Sequence, residues 1–109
     1  MAEIIWLQSA LSDLRLIHAY IARDSPDHAA AFIVRILQSA ENLDPFVRLG
    51  RVVPERGSDT LRELLIDDYR LMYRLRGGKV EILSVVHGSV DLYGWARRVG
   101  WPNDEGREE

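Results

Sequence analysis

A chain of 109 residues, 47% hydrophobic and 28% charged, fits one globular domain and excludes a largely disordered polypeptide. It has no cysteine, which excludes disulfides, thiolate metal sites and a thiol nucleophile and fits a reducing cytoplasm. The net charge is −3, all of it carried by Asp104 to Glu109, so the formally neutral remainder does not advertise a polyanionic partner.

Met1 to Trp6 shows no basic region leading into an apolar run, so a secretory signal is not expected. No apolar stretch approaches the roughly 18–20 residues that span a bilayer, so no membrane partner is expected either. Residues 1–100 are read as a single domain and 101–109 as a polar, frayed tail.

Glu3 to Leu7, with Ile4, Ile5 and Trp6, reads as a short strand. Ser9 is placed to cap the helix that follows. Ala10, Leu14, Ile17 and Tyr20/Ile21 form one helical face, with Asp13 and Arg15 opposite. This helix should stop near Asp24, because Ser25 precedes Pro26. The same dipeptide opens a second helix, with Ser25 as N-cap and Pro26 at the first helical position. Its apolar stripe is Ala29, Phe32/Ile33, Ile36/Leu37, Ala40 and Leu43. So short a connection predicts an antiparallel helical hairpin.

Asp44-Pro45 ends the second helix, and Pro45 to Thr60 reads as a long irregular segment. Leu61 to Ile66 then forms a strand, with a turn at Asp67-Asp68. Tyr69 to Arg76 alternates strictly, and Gly77-Gly78 is a two-residue hairpin turn into a last strand, Lys79 to His87. Residues 89–98 read as a short helix. The order β-αα-βββ predicts an α+β fold, with a helical hairpin covering one face of a mostly antiparallel sheet.

The two turns predict a register. Arg76 pairs with Lys79, Arg74 with Glu81, Met72 with Leu83 and Arg70 with Val85, which sets His87 diagonal to Arg70. Across the other turn, Leu65 pairs with Arg70 and Glu63 with Met72. Leu64, Ile66, Leu71, Tyr73, Val80, Ile82 and Val86 then face the helices. The opposite face has an apolar floor of Leu61, Leu65, Met72, Leu83 and Val85, ringed by Glu63, Arg70, Arg74, Glu81 and His87. Such a mixed face suits a protein partner. A one-residue slip would exchange the faces.

These residues resemble a known family. Trp6, Ala10, Asp13-Leu14 and Ile17, then Tyr20-Ile21-Ala22 and Asp24-Ser25-Pro26, are similar to the opening of ParE-type toxins. Leu43, Pro45, Gly50-Arg51 and Pro54-Glu55 are similar to the middle segment. Arg62-Glu63-Leu64, Tyr69-Arg70, Tyr73-Arg74 and Val86-His87-Gly88 are similar to the strand motifs. From Trp6 to His87 the chain therefore resembles the RelE/ParE toxin superfamily. The resemblance implies the toxin of a type II toxin–antitoxin pair, neutralised in a hetero-oligomer by a cognate antitoxin that wraps it. It implies one of two targets: DNA gyrase for ParE-type members, or mRNA on the ribosome for the RelE-type endonucleases.

For RNA cleavage the resemblance offers Arg70, Arg74, His87 and Glu63 as catalytic candidates, with the arginines meeting phosphorane charge. Against that role, no tyrosine directly follows His87, and Lys79 is the only lysine. For the antitoxin that the resemblance implies, the mixed face offers Leu65, Arg70, Met72, Arg74, Leu83 and Val85. Simpler roles stand beside these: Arg74 as the cross-strand partner of Glu81, His87 as a hydrogen-bonded strand-end residue, His18 and His28 as helix-surface residues, and Trp95 and Trp101 as covers for the sheet. Three scattered histidines do not make a metal site, and no cofactor is expected.

Overall fold

The computed structural model describes residues 2–99, with only the backbone of residues 98 and 99. The expected tail, Trp101 included, lies outside the described residues. In chain order the elements are β1 (Glu3–Trp6), α1 (Gln8–Ala22), α2 (Pro26–Glu41), β2 (Arg51–Val52), β3 (Leu61–Ile66), β4 (Tyr69–Arg76), β5 (Lys79–His87) and α3 (Leu92–Val99). One five-stranded sheet runs β1-β5-β4-β3-β2. It is α+β as expected. The β1–β5 pair is parallel and the other three are antiparallel. The irregular segment after α2 contains β2, a two-residue edge strand.

The helical hairpin forms as its apolar spacing requires. Ala10, Leu14 and Ile17 of α1 and Ala29, Phe32, Ile36 and Ala40 of α2 are buried. With Leu71, Tyr73, Val80 and Ile82 from the sheet, all of these but Ala29 make the larger core. Ser25 caps α2 by accepting the His28 amide at 3.2 Å. Ser9 does not cap α1: the N-cap residue is Leu7, without a side-chain bond, and the Ser9 hydroxyl instead donates to the Leu83 carbonyl at 2.6 Å.

The β3–β4 register is the expected one, with Leu65 opposite Arg70 and Glu63 opposite Met72. The β4–β5 register holds at Arg76–Lys79 and Arg74–Glu81 and then slips. Tyr73 pairs with Ile82 but Met72 with Ser84, so β5 carries one extra residue. Beyond this bulge Arg70 lies opposite Val86 and Tyr69 opposite His87, so His87 does not take the expected place diagonal to Arg70 on the same face. The faces exchange accordingly. Val85 joins the helix-side core, and Val86 packs on the other side of the sheet.

The expected open floor on that second side is also corrected. Met72, Leu83 and Leu61 are buried against Val53 and Leu92, with Leu7, Val86 and Trp95 around them. Leu92, Trp95 and Ala96 recur at helical spacing, so α3 has an apolar stripe to bury, and the sheet's second face is where it does so.

Candidate functional site: a saturated arginine–glutamate cluster and its cleft

The two-residue turn at Asp67-Asp68 sets Leu65 opposite Arg70, and the short β2–β3 pair sets Arg51 opposite Glu63. The Glu63 carboxylate is fully buried between two arginines: one oxygen accepts from Arg51 Nε and the other from Arg70 Nε, each at 2.6 Å. Both terminal nitrogens of Arg70 donate to Glu55, at 2.9 and 2.6 Å, in a bidentate pair. The four side chains carry two positive and two negative charges and cancel. Arg70 is held still more firmly protonated by these bonds, Glu55 first. Reciprocally, Arg70 pulls the Glu55 carboxyl below its ordinary range.

Farther along β4, Arg74 Nε donates to Glu81 at 2.7 Å, and Arg76 stands 3.6 Å from the same carboxylate. The cross-strand role for Arg74 is thus realised. Arg62 pairs locally with Asp59 at 2.7 Å.

His87 is exposed at the end of β5. Its ring meets Tyr69 edge-on at 5.1 Å between centroids. Its Nδ1 accepts the Ser89 amide at 3.1 Å and lies 2.7 Å from the Ser89 hydroxyl, so a neutral ring carries its proton on Nε2. A cleft of about 350 Å³ brings His87 and Ser89 together with Arg51, Arg70 and Leu65. Glu63 and Arg74, the other two catalytic candidates, do not line it.

The six residues expected to meet an antitoxin are spread through the fold. Leu65 is 57% exposed, whereas Arg70 and Arg74 are each 8% exposed. Met72 and Leu83 lie beneath α3, and Val85 lies beneath the helical hairpin. His18 and His28 sit on helix surfaces.

Two participants escape sequence reasoning. Glu55, read as turn geometry, is the clamp on Arg70. Asp13, assigned to the solvent face of α1, accepts from the Ser84 hydroxyl and the Val85 amide at 2.7 and 2.9 Å. The signal for Glu55 was slight: a carboxylate two residues after a buried valine. For Asp13 the sequence holds none, because its partners lie some seventy residues downstream.

Residues 4–92 match the sequence profile of the family described as ParE toxin of type II toxin-antitoxin system, parDE. This chain belongs to that family, within the RelE/ParE superfamily. The toxin is 32% identical over 90 residues to "Toxin RelE2" of Caulobacter vibrioides, an alignment covering 82% of this chain and 98% of the relative. It is 41% identical over 87 residues to "Putative toxin Y4kP" of Sinorhizobium fredii, covering 78% and 86%. A solved structure titled "Chromosomal ParDE TA system from P. aeruginosa" superposes with a TM-score of 0.67 at 21% identity. That superposition covers 80% of this chain and 96% of the other, and it shows the shared fold. No helix among the described residues is long and apolar enough to cross a membrane.

Proposed function

We propose that this toxin acts in the cytoplasm by binding its target rather than by cutting RNA, that the target is DNA gyrase, and that a cognate antitoxin neutralises it in a hetero-oligomer. The carrying observation is the saturation of the candidate chemistry. Cleavage at a 2′-hydroxyl needs a base within reach and cations free to meet developing phosphorane charge. Glu63 is sealed with both oxygens engaged, Arg70 is clamped by Glu55 and Glu63, and Arg74 is bonded to Glu81. His87 alone among the four candidates offers an exposed group. Leu65 and the cleft behind it are the antitoxin-facing part of the expected set, because they are accessible.

The test is supercoiling by purified gyrase in the presence of antitoxin-free toxin, which should inhibit it. His87→Ala should inhibit equally well. Unimpaired supercoiling at a large excess of toxin refutes the gyrase assignment.

One arrangement favours the ribosome-dependent endonuclease: His87 and Arg70 share a cleft. Primer extension on translated mRNA decides it. New 3′ ends that appear with the toxin and vanish in His87→Ala establish that reading and overturn ours.

A further inference from the structure

The segment between α2 and β2 is held rigidly yet exposes two large apolar side chains. The Tyr73 hydroxyl donates to the Val47 carbonyl and accepts the Gly50 amide, both at 2.9 Å. Arg62 donates to the Gly50 carbonyl at 3.0 Å. A Cβ on Gly50 would lie 2.5 Å from the Glu63 carbonyl oxygen, so the loop sits directly on the sheet. From this anchored loop Phe46 and Leu49 project, 66% and 55% exposed. Nothing in the core requires either of them.

The loop borders a second feature at the hairpin end of the sheet. A cleft of about 260 Å³ is floored by Val47, Thr60 and Leu75 and rimmed by Arg48, Arg76 and Lys79. No carboxylate lines it. The neighbouring acids stand outside but engage part of the rim: Asp59 bonds Arg48 and Arg62, Glu81 bonds Arg74 and stands 3.6 Å from Arg76, and Glu3 lies opposite Lys79 in the parallel pair. Arg76 and Lys79 flank the Gly77-Gly78 turn, where both glycines have positive φ, so they project from a tight hairpin.

We propose that Phe46, Leu49, Arg48, Arg76 and Lys79 form the target-facing surface of the toxin, and that it takes an acidic protein patch with an apolar anchor. This rests on the reading above that the toxin works by binding. Exposed aromatic and aliphatic anchors beside arginine are the composition of an interface centre. Pinning the loop through Tyr73 removes the ordering cost that a mobile loop would incur on binding. Arg48 and Arg76 are partly engaged by acids, but with Arg62, Arg74 and Lys79 they set five cations against Asp59, Glu81 and Glu3, and that positive excess favours carboxylates on the partner and speeds encounter. Three cations around an aliphatic floor do not make the basic track that a nucleic-acid backbone requires. The surface also lies at the opposite end of β4 from the Leu65–His87 cleft, about 23 Å away at strand rise, leaving that cleft for the antitoxin.

Two variants of the full chain test it: Phe46→Ser with Leu49→Ser, and Arg76→Gln with Lys79→Gln, which removes the positive charge without setting a carboxylate against Glu81 or Glu3. Each is induced without antitoxin and scored for growth arrest, then purified for thermal melting, gyrase inhibition, binding to a plain DNA duplex and co-purification with the cognate antitoxin. Both should melt like the wild type, keep the antitoxin and lose at least about tenfold in growth-inhibitory potency. Full potency in both overturns the proposal. Tenfold weaker DNA binding than the wild type, or loss of the antitoxin, assigns the face to another occupant and overturns it too. If the wild type arrests growth without touching gyrase while both variants fail to arrest, the surface stands and the gyrase reading falls. Should the apolar variant misfold, the charge variant decides alone, since Arg76 and Lys79 lie outside both cores.

Discussion

Asp13 on α1 accepts the backbone amide of Val85 at 2.9 Å, at the place where β5 carries its extra residue. The same oxygen takes the Ser84 hydroxyl, and Ser9, one helical turn earlier, donates to the Leu83 carbonyl. A bulge takes backbone groups out of the ladder, and here α1 supplies side chains to meet them. Helix and bulge are thus mutually dependent. Asp13→Ala leaves the Val85 amide unsatisfied beneath the hairpin and should cost about 1–3 kcal/mol. Urea denaturation measures it, and faster hydrogen exchange at Val85 locates it. A midpoint equal to that of the wild type would show that the bulge holds itself.

The buried Glu63 should be among the least replaceable side chains. Breaking one partner of a buried ion pair costs about 3–5 kcal/mol, because the other charge is stranded. Glu63→Ala should approach the lower end, since Arg70 keeps its bidentate bond to Glu55 and Arg51 is partly in solvent. A fall in melting temperature of about 10 °C or more is the expected reading.

Tyr73→Phe should cost about 1–3 kcal/mol by orphaning the buried Gly50 amide and freeing the Val47 carbonyl. It should also raise hydrogen exchange through residues 46–50 while leaving β4 and β5 protected. Gly50→Ala should be worse, because the new methyl group meets backbone at 2.5 Å and cannot be accommodated by turning a side chain.

These cases separate what was legible in the sequence from what was not. Two-residue turns at Asp67-Asp68 and Gly77-Gly78, with strict alternation in β4, made the β3–β4 pairing readable. The bulge was not, because Leu83, Val85 and Val86 place apolar residues at both parities and only Ser84 breaks the run. The residue that resolves the ambiguity, Asp13, reads as one more charge on the outer face of a helix. In the candidate site the family motifs made Glu63, Arg70 and His87 visible. That a loop carboxylate, Glu55, would consume Arg70 is a tertiary fact with no local pattern behind it. The covering of Met72 and Leu83 is similar: the α3 stripe is readable, but the face it chooses is not.

Acid should loosen the loop that carries Glu55. Arg70 draws the Glu55 carboxyl below its ordinary value of 4.5, so the folded state binds its proton less readily than the unfolded chain. A depressed folded-state pKa contributes stability above the unfolded value and loses it as pH falls through the folded one. Denaturation midpoints followed from about pH 6 to about pH 3 should therefore decline, and Glu55→Gln should decline less over the same window. Parallel curves for the two proteins would mean that the Glu55–Arg70 bond contributes nothing net.

The parallel pairing of β1 with β5 sets the first strand against the last among the described residues, at one edge of the sheet. Glu3–Trp6 finds its sheet neighbour only after Lys79–Ile82 has been synthesised, and Asp13 waits as long for Val85. Contacts of such long sequence separation form late, after loop closure has been accomplished across most of the chain. A nascent or prematurely terminated polypeptide is consequently an unassembled one. A chain that stops before β5 lacks at once the neighbour of β1, the partner of Asp13 and the strand end that carries His87.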